Sequence, residues 1–199
     1  MPITTRIGHM DKRYEEGKTF DRIDAINSPL EKGDYENCSF INSDLSNQDL
    51  SGFVFIDCQF KDCNLSLAKL NQTSFRDVQF INCKLLGLHF NTCNALGVTF
   101  SFRHCTLNHS TFFKVKVRKT TFENCQLHET DFTETDLTGS VFALCDLKDA
   151  VFDNAILEKV DFRTAIHYTL DPDRNNIKKA KFSAAGVIGL LSKYDISIE

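Results

Sequence analysis

Cysteine is the residue type in this sequence with the widest choice of chemistry. Eight cysteines could hold a metal ion, form disulfides, or pack as small apolar side chains. A metal site needs several ligands that converge on one point, whereas a disulfide needs two thiols that face each other. The cysteines are Cys38, Cys58, Cys63, Cys83, Cys93, Cys105, Cys125 and Cys145. Their positions in the repeat described below decide among these alternatives.

Histidine gives a second set of candidates, because imidazole can act as a general base or as a metal ligand. None of the six histidines stands at metal-ligand spacing from a cysteine that would face outward in the repeat described below. The sequence also shows no set of nucleophile, base and orienting group. We therefore expect a protein that is not an enzyme and that has no catalytic, cofactor or metal site.

Carboxylates are concentrated between Glu123 and Asp161. This stretch contains ten acidic residues but only two lysines, so its local net charge is −8. Such a surface suits a partner that binds anions. The residues predicted to form this partner-binding surface are Glu129, Asp131, Glu134, Asp136, Asp146, Asp149 and Asp153. In an alternative interpretation, an aspartate that immediately precedes the large apolar residue of a repeat (described below) is simply a turn residue. That interpretation accounts for only four of the ten: Asp131, Asp136, Asp146 and Asp161.

A basic belt precedes the acidic segment and consists of Lys114, Lys116, Arg118 and Lys119. These residues could contact nucleic acid. Alternatively, they could form a solvated face whose charges are offset by acidic residues of a neighbouring turn of the repeat structure described below. Because the whole chain carries a net charge of −4, we expect no direct binding to nucleic acid.

A five-residue repeat positions all of these side chains. Every fifth residue from Phe40 to Phe100 forms one register of central positions, and a second register runs from Phe102 to Phe162. Phe and Leu occupy 24 of these 26 positions. A period of five fits neither a helix nor a plain strand. It predicts a chain that turns a corner after every five residues, with one large side chain pointing inward on each side.

Four repeats make one coil, because like residues recur at an interval of twenty. Stacked coils would pair through their backbones at about 4.8 Å. The sequence therefore predicts an all-β solenoid whose repeat array spans residues 36–165. One predicted column, which allows a two-residue slip near Ser101, is Phe40, Phe60, Phe80, Phe100, Phe122, Phe142 and Phe162.

A second inward position lies two residues before each centre and is occupied mostly by small residues. All eight cysteines fall there, and no charged residue occupies either inward position between Glu36 and Arg163. Cysteine behaves at such a position as a small apolar residue. Thiols stacked in a column would run parallel rather than face each other. We therefore predict free, buried thiols.

The repeats resemble the pentapeptide-repeat family, in which the repeat reads roughly A-(D/N)-L-x-x. Residues 63–67 (CNLSL) and 135–139 (TDLTG) match this pattern closely. The resemblance implies a right-handed quadrilateral β-helix.

Residues 161–165 and 177–183 are similar to the C-terminus of the topoisomerase-protecting members of this family, the Qnr, MfpA and albicidin-resistance proteins. This resemblance implies a DNA mimic that binds DNA gyrase or topoisomerase IV and protects it from, or modulates, inhibitors of the quinolone or albicidin type. A second hypothesis is an interaction scaffold for another protein partner, because repeat arrays commonly present binding surfaces.

The two ends of a solenoid need caps, because an open coil exposes unpaired backbone groups. Residues 1–35 fit the register poorly and are predicted to form a cap and an irregular first coil. Residues 166–199 are predicted to form a C-terminal cap with a helix over about 184–193, for which Ser183 is the N-cap. The helix either plugs its own array or, as the resemblance implies, also forms a two-fold homodimer. The predicted dimer interface is Val187, Ile188, Leu190, Leu191 and Tyr194.

Residues 1–10 are polar and lack the apolar core of a signal peptide. No apolar run approaches the ~20 residues that a membrane-spanning helix needs. We therefore expect a soluble, cytoplasmic protein with no membrane partner.

Overall fold

The computed structural model describes residues 13–24, 26–194 and 196–197. In this part of the chain the backbone winds into an all-β solenoid with four sides per coil, as the five-residue period predicts. Its strands are β1 (Arg13–Glu16), β2 (Thr19–Asp21), β3 (Gly33–Glu36), β4 (Ser39–Ile41), β5 (Val54–Ile56), β6 (Gln59–Lys61), β7 (Ser74–Arg76), β8 (Val78–Ile81), β9 (Phe100–Arg103), β10 (Thr121–Glu123) and β11 (Val141–Ala143). Its 3₁₀ segments are η1 (Phe90–Thr92), η2 (Gly186–Leu190) and η3 (Ser192–Tyr194).

Two of the four sides contain parallel sheets. One sheet has the strand order β1-β3-β5-β7, and the other has the order β2-β4-β6-β8-β9-β10-β11. Phe40 lies opposite both Phe20 and Phe60, which confirms the twenty-residue coil. The strands are only three or four residues long, because the chain turns a corner within each repeat.

Single bridges between successive coils join the other two sides, as between Asp44 and Asn64. We number the four faces of the solenoid from one to four and identify each face by the central residues whose side chains point inward from it. The first face contains Phe20, Phe40, Phe60, Phe80, Phe102, Phe122, Phe142, Phe162 and Phe182. The second face contains Leu45, Leu65, Leu85, Leu107, Leu127 and Leu147. The third face contains Leu50, Leu70, Phe90, Phe112, Phe132 and Phe152. The fourth face contains Tyr35, Phe55, Phe75, Val117, Leu137 and Leu157.

Stacked aromatic rings form the core of the solenoid. Neighbouring rings along the first face have centroids 4.6–5.6 Å apart, close to the spacing of hydrogen-bonded strands. Phe122, for example, stacks on Phe102 and Phe142 and makes edge contacts with Phe112 and Phe132 of the third face. Each such pair contributes about 0.5–1.5 kcal/mol beyond the burial of its area. The core is therefore continuous along the rod.

The small inward position has a bonding role in addition to its packing role. Its hydroxyl or thiol donates to the backbone carbonyl of an inward residue in the preceding coil, as from Thr135 Oγ1 to Phe112 O at 2.7 Å and from Cys63 Sγ to Phe40 O at 3.4 Å. Seven of the eight cysteines make this contact. All eight are free and buried, as predicted.

The two-residue slip lies elsewhere than predicted. Phe80 pairs with Phe102, so the column predicted to pass through Phe100 is wrong. The extra residues fall within 94–99, where Ala95, a predicted inward centre, is exposed. Phe100 instead turns inward against Phe75 and Phe90, at ring distances of 5.7 and 5.3 Å. The Phe100 ring fills the core space that Ala95, with only a methyl side chain, would leave empty.

The regular array is longer than the predicted span of 36–165. Strands β1 and β2 already pair in register with β3 and β4, so residues 13–21 belong to the solenoid rather than to an irregular coil. At the other end, Asp161 bridges to Lys181. Backbone pairing continues past residue 165 because it does not require Phe or Leu at the centre.

The helix predicted over 184–193 is replaced by two short 3₁₀ segments, η2 and η3. Ser183 Oγ accepts a hydrogen bond from the Gly186 N–H at 3.0 Å, the contact expected of a residue that starts a helix. A Cβ at Gly186 would lie 2.2 Å from the Tyr168 hydroxyl, and one at Gly189 would lie 2.1 Å from the Tyr168 carbonyl oxygen. Two glycines weaken an α-helix, and here they permit this close approach.

Candidate partner-binding surface

Three of the predicted acidic residues occupy corners of the solenoid. The corner residue follows each inward centre by two positions and has a left-handed backbone, with φ of 54° at Glu129, 53° at Glu134 and 57° at Asp149. This conformation is unfavourable for residues that carry a Cβ. Hydrogen bonds between coils offset that cost, as from the Glu129 N–H to the Lys148 carbonyl at 3.0 Å. The corner positions are therefore fixed by the backbone.

Three other predicted acidic residues immediately precede an inward centre. Oδ1 of Asp131, Asp136 and Asp146 accepts a hydrogen bond from the N–H two residues further on, at 2.9–3.1 Å. Asp161 makes the same contact. The interpretation of these four aspartates as turn residues is therefore confirmed. One carboxylate oxygen of each holds the turn.

Six of the seven predicted residues lie on two adjacent faces. The second face carries Glu129, Asp146 and Asp149, and the third face carries Asp131, Glu134 and Asp153. Asp136 lies on the fourth face, where it bridges to Lys116 and Ile156. The structure thus brings most of the predicted surface to one side of the rod and separates Asp136 from it.

Ion pairs between coils offset three of these carboxylates. Glu134 lies 3.5 Å from Lys114 Nζ, and Asp153 lies 2.7 Å from an Arg174 nitrogen. Asp136 is buried and lies 2.6 Å from Arg118. Burial opposes ionisation of Asp136, but its bonds to Arg118 and Thr138 outweigh burial and lower the pKa of its carboxyl. The local charge of −8 therefore overstates the field, because the counter-charges belong to coils outside residues 123–161.

The remaining four carboxylates form what we call the acidic corner, which comprises Glu129, Asp131, Asp146 and Asp149. The ionisable side chains that contact these carboxylates are histidines. His109 Nδ1, for example, lies 3.4 Å from a carboxylate oxygen of Glu129. Asp131 accepts a hydrogen bond from the Thr111 hydroxyl at 3.1 Å. Within the described residues, no lysine or arginine forms an ion pair with any of the four.

Asp146 lies between two imidazoles of the second face. His128 Nε2 is 3.0 Å and His167 Nδ1 is 2.8 Å from its carboxylate oxygens. Burial raises the pKa of Asp146, but the contacts with the two imidazoles and the hydrogen bond from the Lys148 N–H together lower it below its ordinary value. The carboxyl is therefore ionised at neutral pH.

The basic belt is divided between two kinds of lysine and arginine. Lys114 and Arg118 are paired with Glu134 and Asp136 of the next coil. Lys116 and Lys119 are exposed and form no ion pair in the part of the chain that the structure describes. Half of the belt is thus offset, as the alternative interpretation predicts.

The C-terminal cap exposes part of the predicted dimer interface. Val187, Ile188 and Tyr194 are 43–56% exposed, and Leu191 is half-buried. Leu190 is a correction to the prediction, because it is only 6% exposed and packs into the core of its own chain. Of these residues, Ile188 lines an apolar groove of about 520 Å³, together with Ile166 and Tyr168.

The described residues contain no group of three or more His, Cys, Asp or Glu side chains arranged to hold a metal ion. Among the same residues, no helix combines the length and apolar character needed to cross a membrane.

Several ion pairs of this segment are not apparent in the local sequence, because they join residues about twenty apart. Arg174 and Lys181 lie beyond the predicted array, yet they pair with Asp153 and Asp161. Both pairs follow the coil interval, since Arg174 stands 21 residues after Asp153 and Lys181 stands 20 residues after Asp161. His167 stands five residues after Phe162, where the next inward centre would fall, but it is exposed and contacts Asp146.

The comparisons with known proteins agree with this architecture. Residues 34–101 and 89–162 match the family described as Pentapeptide repeat region. No curated protein matches the sequence. A trypsin-treated variant of QnrB1, described as a plasmid-mediated fluoroquinolone resistance protein, is similar in structure, with a TM-score of 0.64 and 17% identity over 94% of this chain and 92% of that chain.

A second trypsin-treated variant of QnrB1 has a TM-score of 0.56 and 18% identity, over 94% of this chain and 100% of that chain. These structural similarities show a shared fold. The family match covers well over half of the chain and coincides with the stacked coils seen in the structure. The protein therefore belongs to the pentapeptide-repeat family.

Proposed function

We propose that this protein is a DNA mimic that binds DNA gyrase or topoisomerase IV and modulates the action of quinolone or albicidin-type inhibitors. The observation that carries the proposal is the acidic corner. Glu129, Asp131, Asp146 and Asp149 place carboxylates on adjacent faces of a rod, with no lysine or arginine paired to them among the described residues. A cationic surface that accepts duplex DNA would attract such an edge.

The dimensions of the rod fit a groove made for a duplex. Eight coil intervals separate Phe20 from Phe182 along the first face, which corresponds to about 38 Å at the strand spacing. Two rods joined end to end would extend about 76 Å, or roughly 22 base pairs at 3.4 Å each.

The same proposal includes a two-fold homodimer through the C-terminal cap. Val187, Ile188 and Tyr194 supply exposed apolar area, and Ile188 also lines the groove that includes Ile166. The acidic corner lies in the coils that precede this cap. Pairing two caps would therefore bring the acidic corners of both subunits toward the middle of a long rod.

The fold shared with QnrB1 supports the proposal through the resistance role that is described for that protein. A second candidate function is an interaction scaffold for another protein. It is favoured by the ion pairs of Glu134, Asp136 and Asp153, which reduce the negative field that a DNA mimic needs.

A supercoiling assay with purified gyrase, with and without a quinolone or albicidin, tests the proposal. Glu129→Lys with Asp149→Lys reverses two corner charges without removing a turn-forming aspartate. We expect this variant to lose most of the wild-type effect on supercoiling.

The matched control is Asp57→Lys with Asp62→Lys, which changes the same charge at left-handed corners of other faces (φ 52° and 55°). We expect the control to retain the wild-type effect. Equal activity of the two variants would favour the scaffold hypothesis.

A further inference from the structure

The two-residue slip leaves a gap in the backbone ladder of the fourth face. Below the gap the ladder is regular: the Asp136 N–H donates to the Val115 carbonyl, the Val117 N–H to Asp136, and the Lys119 N–H to Thr138, at 2.9–3.0 Å. One coil earlier, the described residues do not form the three equivalent bonds. The Lys116 N–H, the Lys116 carbonyl and the Arg118 carbonyl therefore have no backbone partner in the coil above.

The gap exists because residues 94–99 leave the wall of the solenoid. The Asn94 and Thr99 N–H groups still bond to the coil above, at Thr73 and Phe75. Between them, Leu96 is 73% exposed. Phe100 turns inward and keeps the core closed behind the gap. One strand of the fourth face is thus missing from an otherwise continuous wall.

A cavity of about 310 Å³ occupies this place. Its lining includes Phe90, Cys93, Val98 and Val115, together with Lys114 and Lys116. Both valines are only half-buried although they pack against the core. The volume lies at the lower end of the range for ligand pockets, and it suits one large apolar side chain rather than a drug-sized molecule.

Cationic side chains that lack a carboxylate partner surround the gap. Lys116 and Lys119 lie on its lower side, and the Arg76 side chain lies on its upper side, 3.7–3.9 Å from where a Cβ on Gly97 would sit. None of the three forms an ion pair within the described residues. One carboxylate, Asp77, follows Arg76 at the upper corner. The gap therefore carries an excess of positive charge.

We propose that this gap binds an extended acidic segment of a partner protein by strand addition. The backbone of the segment replaces the missing wall strand and bonds to the free groups of Lys116 and Arg118. One apolar side chain enters the cavity, and flanking carboxylates meet Lys116, Lys119 and Arg76. The site lies on a different face from the acidic corner and does not depend on topoisomerase binding.

Fluorescence polarisation tests this proposal with a labelled nine-residue peptide. The peptide has a central leucine between two valines, and three aspartates at each end. We expect saturable binding that weakens as salt rises. Matched peptides carry lysines in place of the aspartates, or N-methyl groups on the valines that block backbone pairing, and we expect neither of them to bind.

Protein variants locate the site. Lys116→Glu with Lys119→Glu should weaken peptide binding about tenfold or more, since two exposed contacts are lost and reversed. Lys178→Glu with Lys179→Glu changes the same charge on the same face away from the gap, and should leave binding unchanged. Deleting Leu96 and Gly97 restores a twenty-residue coil, which should abolish binding and raise the melting temperature.

The proposal is overturned if the acidic peptide shows no saturable binding to the wild-type protein. It is also overturned if the N-methylated peptide binds equally well, or if the two lysine variants lose affinity equally. Because no topoisomerase is present in the assay, these outcomes leave the proposed function untouched.

Discussion

Replacing Phe122 by alanine tests the packing of the rod at its most constrained point. The Phe122 ring is fully buried and contacts four other rings, with stacking distances of 5.1 and 4.8 Å along its column. Truncation of a buried phenylalanine costs about 3–5 kcal/mol. We expect a value in the upper half of this range, because the backbone ladders hold the coils apart and the cavity cannot collapse.

The neighbouring residue Glu123 provides the matched control. Its exposed carboxylate pairs with Arg103 at 2.9 Å, and such a pair contributes little, so Glu123→Ala should change stability by about 0.5 kcal/mol or less. Urea unfolding followed by circular dichroism, with linear extrapolation to water, measures both. Similar losses for Phe122→Ala and Glu123→Ala would refute the assignment of inward and outward positions.

Three further predictions address the small inward position, the thiols and the cap. Thr135→Val should cost about 1–2 kcal/mol in urea unfolding, because the Phe112 carbonyl loses its 2.7 Å donor; an unchanged midpoint would contradict this role. Burial raises the pKa of Cys58 and Cys93 to about 12, so their stabilising effect is complete below pH 9 and is lost as the pH rises to about 12; an unfolding midpoint that stays constant over this range would show that the thiols are accessible. Ile188→Glu should shift sedimentation from dimer to monomer while the control Leu67→Glu, at a site of similar exposure, should not; a wild-type monomer would rule out the dimer.

The sequence predicts the fold well because each coil repeats one packing solution. Phe40 and Phe60 must stack if the chain closes a square every twenty residues, and no long-range information is needed to see this. The slip was misplaced for the opposite reason. Both Phe100 and Phe102 fit the pattern, and only the pairing of β8 with β9 shows that Phe102 continues the column while Phe100 fills the space behind the bulge.

The sequence predicts which acidic residues lie on the candidate surface, but it overstates the net negative charge of that surface. Counting residues between Glu123 and Asp161 ignores coils above and below, which supply Lys114 and Arg174 as counter-charges. The cap was mispredicted because its apolar residues suggest a helix, whereas the chain forms short 3₁₀ turns in which Gly186 and Gly189 lie against Tyr168. In both cases the deciding contact joins residues that are distant in sequence.

Competition between this protein and duplex DNA for DNA gyrase tests the central claim most directly. A labelled duplex of about 22 base pairs, the length matched to the dimer, is bound to gyrase and displaced by increasing concentrations of protein. A DNA mimic should displace the duplex competitively, with an affinity that falls as salt rises and that Glu129→Lys with Asp149→Lys removes. Gyrase binding that leaves the duplex in place, or displacement that the double variant performs as well as wild type, would contradict the account.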